Sequence, residues 1–267
     1  MPTAEDVFYE TFGRFMKNWT VITSLRQATD VGLPYAEKAL AGEHAEFVER
    51  VAFDPEYKKI FVNIDGSDTP LSEKAQDLIR TAMTQGAITN ARAAVDAASL
   101  VFAQSILDDC AWSYCKVCAL ASPDDWDPLI REKKIDFGAL REKNLDTIRE
   151  ELIQAKLNQL ERKSLLTKVD LLFRLCPPPK DFAPIENYAF DRDRLERIDG
   201  DRHRIIHSNG FGEVLTNVEE DLEFVSKTAN YLMGLVNQKY GIQLHPLKMF
   251  GLPAVPAMAA HAPCRKG

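Results

Sequence analysis

The residues best suited to chemistry lie in one segment of the C-terminal third, DRHRIIHSNG, which runs from Asp201 to Gly210. Arg202 stands directly before His203, and His207 follows after three further residues. An imidazole exchanges protons near neutral pH, and a guanidinium forms paired hydrogen bonds with an oxyanion. These residue types therefore suit proton transfer beside a bound anionic group.

The spacing of the three residues limits what one helix can do with them. At 3.6 residues per turn, Arg202 and His207 lie about 140° apart around a helix, so they cannot approach one phosphate from the same direction. His203 and His207, four residues apart, share a face, and Arg202 lies at its edge. We expect either an unwound helix end near Gly210 or a second copy of the motif, in a symmetric dimer, to complete a site.

A metal site is the main alternative for the same segment. Asp199, His203 and His207 are spaced by four and would project from one helix face as metal ligands. The sequence has no HExxH pattern, no second histidine-rich segment supplies further ligands, and Gly200 weakens the helix between the first two. We therefore predict that these three residues do not form a metal site.

The cysteines suggest a thiol cluster at first sight. Cys115 and Cys118 stand three residues apart, and Cys110 precedes them, but all three lie inside a helical apolar pattern. A second CxxC pair, which a four-cysteine metal site needs, is missing from the sequence. We predict buried structural thiols here, and we find no recognisable partner for Cys176 or Cys264.

The elements that position these residues read as helices almost throughout, so the predicted fold class is all-α. Apolar residues recur at helical spacing over six stretches, which are 4–26, a helix opening at Pro34, 87–121, 140–175, 192–207 and 215–240. A further helix is predicted to open at Thr69-Pro70. The prolines that follow Cys176 must end the fourth of these predicted stretches. One strand candidate, 58–65, is too isolated to build a sheet.

The predicted organisation has three parts. Residues 1–86 form an N-terminal helical region of unknown role, and residues 87–245 form a core of four main helices. The segment 246–267 has neither a helical nor a strand period, so we predict a mobile tail.

The arrangement of Arg202, His203 and His207 resembles the R-x4-6-H signature of the HEPN superfamily, in which Asn, Asp or His often follows the arginine. The residues 208–210, Ser-Asn-Gly, are similar to the turn that follows the histidine in many members. The motif also lies late on the third of the four predicted core helices. The resemblance covers about 87–245 and implies a four-helix, up-and-down HEPN-like bundle with a helical N-terminal extension.

That resemblance implies a metal-independent endoribonuclease without a cofactor, which cuts single-stranded RNA by attack of the RNA's own 2′-OH. Arg202 would hold the phosphate, His207 would transfer protons or position the substrate, and His203 would support the site. Asp109, with Asp108 beside it, would orient His207 or bind Arg202. Many family members dimerise with two motifs across a shared cleft, and several act in toxin–antitoxin pairs or antiviral defence. A homodimer and an antitoxin or defence-system protein are therefore the expected partners.

Composition sets limits on this interpretation. The 267 residues carry 33 Lys and Arg against 40 Asp and Glu, a formal net charge of −7. Such a protein lacks the overall attraction of a non-specific nucleic-acid binder. The acidic charge and the unexplained residues 1–86 favour the alternative, a non-catalytic HEPN module that binds RNA, a nucleotide or a protein.

The chain also lacks two features of exported or membrane proteins. No stretch approaches the roughly 20 apolar residues that span a bilayer. The first residues do not have the basic and apolar regions of a secretory signal, and five cysteines suit a disulfide framework poorly. We therefore expect a cytoplasmic protein that does not contact membranes.

Overall fold

A computed structural model of the chain describes residues 2–53, 72–130, 143–207 and 214–242. Within these ranges the protein is all-α, as the hydrophobic periodicity predicts, and contains no strand. The helices are α1 Ala4–Phe53, α2 Glu73–Ala121, α3 Asp127–Ile130, α4 Leu145–Glu161, α5 Leu165–Leu175, α6 Arg192–His207 and α7 Val218–Tyr240, with a 3-10 turn at Pro123–Trp126. The strand candidate 58–65 and the tail 246–267 lie outside the described residues.

Helix α1 differs from its prediction. It is one helix of 50 residues with Pro34 inside it, so the predicted break before Pro34 was wrong. A proline in a helix removes one backbone donor and crowds the carbonyl four residues earlier. The residues after it, 35–41, are YAEKALA, and this stretch is rich in strong helix formers that favour continuation.

Two further boundaries differ from the predicted ones. The helix predicted to open after Pro70 and the one predicted from residue 87 are a single helix, α2, which begins at Glu73. The single helix predicted over 140–175 is divided, because α4 ends at Glu161 and a new helix starts after Ser164. The Ser164 hydroxyl accepts a hydrogen bond from the backbone N–H of Thr167 at 3.4 Å, which caps the new helix. The predicted stop before the prolines and the predicted helix 192–207 are confirmed.

The chain divides into two compact units. Unit 1 comprises the described residues of 1–18, 105–192 and 225–267, and unit 2 comprises those of 19–104 and 193–224. The domain boundary predicted after residue 86 falls inside α2, and both units combine residues from before and after it.

Aromatic packing fills the core of unit 1. Phe8 of α1 and Tyr114 of α2 are buried, with ring centroids 5.8 Å apart. Tyr231 of α7 contacts three further rings, those of Phe173, Phe182 and Tyr188. These contacts join segments that are distant in sequence, and such burial is the main favourable term in folding.

Polar contacts between helices are prominent in unit 2. Arg26 of α1 pairs with Asp96 of α2, and its other terminal nitrogen lies 3.0 Å from Glu219 of α7.

In the described part of the chain, none of the helices is long and apolar enough to cross a membrane.

Candidate functional site

Helix α6 carries the whole motif and lies in unit 2 after its first residue. Its buried side chains are Leu195, Ile198 and Ile205, which follow helical spacing. Arg202 falls in the same stripe, three residues before Ile205. Its side chain is half-buried, and its Nε is buried without a hydrogen-bond partner among the described residues. Arg202 therefore directs at least its Nε toward the interior.

The two histidines lie on a different side of α6. His203 and His207 are both exposed, and their ring centroids are 4.3 Å apart with the ring planes tilted by 47°. The i, i+4 spacing brings the rings together on one face, as the sequence predicts. Both belong to the C-terminal part of the helix, where the last backbone carbonyls carry partial negative charge.

The structure thus brings together two of the three motif residues. His203 and His207 contact each other at the surface, whereas Arg202 lies in the stripe of buried residues. This separation is the angular one that 3.6 residues per turn requires. The helix ends at His207, and the segment 208–210 lies outside the described residues.

Other arginines of α6 are held by carboxylates. Asp221 of α7 is buried and accepts hydrogen bonds from Arg194 Nη2 at 2.9 Å and from Arg197 Nη2 at 2.6 Å. Asp201 lies 3.2 Å from Arg197 and 3.3 Å from Arg204. Bonding to Asp221 raises the pKa of Arg197. The bonds to Asp221 join α6 to α7.

Asp199 is bonded to a residue that lies far from it in the sequence. The amide of Gln104 on α2 donates from Nε2 to Asp199 Oδ1 at 3.0 Å, and the Gln104 side chain is fully buried. Its polar side chain within an apolar stretch of α2 was the available signal. Among the residues described, no group of three or more metal-ligating side chains forms, so the three-residue metal site on α6 is absent.

The two candidate aspartates of α2 lie in unit 1, where each has a cationic partner. Asp109 is half-exposed and lies 3.3 Å from Arg14 of α1. Asp108 accepts two hydrogen bonds of 2.7 Å from the buried ammonium of Lys168 on α5. The contacts that the structure shows for these aspartates are therefore with Arg14 and Lys168.

The cysteines of α2 are buried free thiols, which confirms their predicted structural role. Burial raises the pKa of Cys110 to about 12. Cys176, for which no partner was predicted, has its Sγ 3.6 Å from that of Cys118. The sequence gives no sign of this pairing, because the two residues are 58 positions apart. Cys264 lies outside the described residues.

No protein-family model, curated protein or solved structure matches the chain. Any functional assignment therefore depends on the motif and on the geometry of α6.

Proposed function

We propose that this chain is a metal-independent endoribonuclease of the HEPN type that cuts single-stranded RNA by attack of the RNA's own 2′-OH. The observation that carries the proposal is the pair of exposed imidazoles on α6, with ring centroids 4.3 Å apart. The pair directly follows Arg202 in the chain, in the order that the HEPN signature requires.

The chemistry suits these groups. Cleavage through the 2′-OH needs a base for the attacking hydroxyl and an acid for the leaving oxygen, and imidazole serves in both roles near neutral pH. His207, at the exposed helix end, transfers the proton. His203 holds the ring of His207 by direct contact and positions it. DNA is not a substrate because it lacks the 2′-OH nucleophile.

Arg202 supplies the phosphate contact in this proposal. A guanidinium stabilises the negative charge that develops on the phosphate. Since Arg202 Nε is buried, its terminal nitrogens are the groups left to reach an oxyanion. Because Arg202 and His207 project from different sides of α6, we place the site in a two-fold symmetric homodimer in which α6 lies beside its own copy. Each phosphate then meets Arg202 from one copy and the histidine pair from the other.

The proposed fold and setting follow from the same resemblance. Helix α2, the α4–α5 pair, α6 and α7 correspond in chain order to the four helices of a HEPN-like bundle, with α1 as the extension. In this proposal the protein is cytoplasmic, and its partner is an antitoxin or a defence-system protein.

The test is RNA cleavage by the purified, untagged chain in EDTA. We expect wild-type protein to cut single-stranded RNA and His207→Ala to cut about 100-fold more slowly, the usual loss when a general acid or base is removed. His203→Ala loses less activity. The matched control is His44→Ala on α1, whose Nδ1 lies 2.9 Å from the Thr84 hydroxyl. Equal cleavage by wild type and His207→Ala would identify a contaminating nuclease and contradict the proposal.

One observation favours the non-catalytic alternative. The buried Nε of Arg202, within the stripe of Leu195, Ile198 and Ile205, is what a structural arginine shows. In this alternative the chain binds RNA, a nucleotide or a protein without cutting. It is supported if wild-type protein cuts no RNA, whether or not it binds RNA, while Arg202→Ala lowers the melting temperature.

A further inference from the structure

His203 and His207 also have the geometry of a two-ligand metal site. Imidazole nitrogens bind late transition ions at about 2.0–2.1 Å, so two rings at right angles around one ion have centroids about 4.5 Å apart. The observed centroid separation is 4.3 Å, and both rings are exposed. The separation of the two rings is therefore close to that of two imidazoles on one ion.

The surroundings select the class of ion. Imidazole is a good ligand for Cu²⁺, Ni²⁺ and Zn²⁺, whereas Mg²⁺ and Ca²⁺ need oxygen ligands. The last turn of α6 carries partial negative charge, which favours a cation there. Asp199 is already bonded to Gln104, and the described residues provide no third ligating side chain at this place. Water then fills the remaining positions, so binding is reversible.

We propose that His203 and His207 together bind one divalent ion of the late first-row transition series, and that this ion inhibits the protein. The inhibitory part rests on the ribonuclease function proposed above. A metal-bound imidazole nitrogen has given its lone pair to the ion and cannot accept a proton. The ion is an inhibitor of the site and not a cofactor, which agrees with cleavage in EDTA.

Nickel binding to the untagged chain tests the site without reference to activity. Titration calorimetry should show one Ni²⁺ per chain bound by wild type, and no binding of Mg²⁺. Because the second imidazole binds intramolecularly, His203→Ala and His207→Ala should each weaken the affinity by roughly 100-fold. His44→Ala should bind as wild type does. All variants are checked for unchanged helix content by circular dichroism. Equal nickel affinity in wild type and both α6 variants would overturn the proposal.

RNA cleavage with and without Ni²⁺ separates this inference from the proposed function. Inhibition of wild type at the nickel concentration that fills the site, reversed by EDTA, supports both. If nickel binding depends on both histidines but the protein cuts no RNA in EDTA, the metal site is supported and the ribonuclease function is contradicted. Cleavage that continues at full rate when the site is filled contradicts the inhibitory role.

Discussion

Arg202 occupies a position that an apolar residue would normally take. It follows Leu195 and Ile198 and precedes Ile205 in the buried stripe of α6. Its placement, and that of the two histidines on another face, follows from helical spacing and was accessible from the sequence. The bond from Gln104 to Asp199 was not, because it joins residues 95 positions apart in packing that no local pattern encodes.

Replacing Arg202 should reveal how its side chain is used. Arg202→Ala removes the apolar stem from the stripe, and we expect a loss of about 1–2 kcal/mol in the free energy of unfolding. Arg202→Met retains an apolar stem of similar length and removes the buried Nε–H donor, which has no partner among the described residues. The free energy of unfolding of this variant should therefore stay within about 0.5 kcal/mol of the wild-type value. Urea unfolding measures both. An equal loss in the two variants would place the stabilising contact in the guanidinium instead.

The sequence predicts which segments are helical better than it predicts where each helix begins and ends. Their periodicity identifies all the long ones, and the prolines after Cys176 mark the end of α5 as expected. The split at Ser164 and the continuation of α1 through Pro34 were missed. The split depends on a local cap and the continuation on the local strain of a proline, and each is weighed against tertiary packing. The sequence shows the cap and the proline but not the packing.

One buried carboxylate joins α6 to α7. Asp221 is almost fully buried and is bonded by Arg194 and Arg197. Asp221→Asn removes that charge from its bonds to the two partly exposed arginines, so unfolding should cost about 2 kcal/mol less. The matched control is Glu220→Gln, since Glu220 is exposed and lies 4.0 Å from Arg194; it should change stability by less than about 0.5 kcal/mol. Similar stability of the two variants would contradict this account.

A second ion pair makes the stability of unit 1 depend on pH. The Lys239 ammonium, 2.6 Å from Asp125, holds the pKa of that carboxyl below its usual value, and the Tyr240 hydroxyl also donates to it. The pair therefore stabilises the fold above the unfolded pKa of about 3.9 and ceases to do so as pH falls through the lower folded value.

Asp125→Asn isolates this contribution. Between about pH 5 and pH 2, wild type should lose more stability in urea unfolding than Asp125→Asn does, because the variant has no carboxylate to protonate. Exposed Glu150 on α4, which lies beyond the first turn of that helix, provides the control, and Glu150→Gln should follow the wild-type curve. Identical pH profiles for all three proteins would show that the Lys239 contact contributes nothing.

At the scale of the whole molecule, charge and assembly bear on function. A formal charge of −7 gives no general attraction to RNA, so the proposed RNA recognition would have to be local to the α6 surface. Each of the two compact units consists of separate segments of the chain, and no change in composition along the sequence marks their boundaries. The homodimer that would bring Arg202 and the histidine pair to one phosphate stays a prediction.

The most direct measurement of the central claim is the chemistry of the cut itself. Wild-type chain and His207→Ala are incubated in EDTA with a single-stranded RNA and with the same oligonucleotide carrying 2′-deoxy sugars throughout. The account predicts that wild type alone cuts the RNA, that mass spectrometry finds 2′,3′-cyclic phosphate ends, and that the deoxy strand stays intact. Cleavage of both strands, or RNA products of the same kind and amount with His207→Ala, would contradict it.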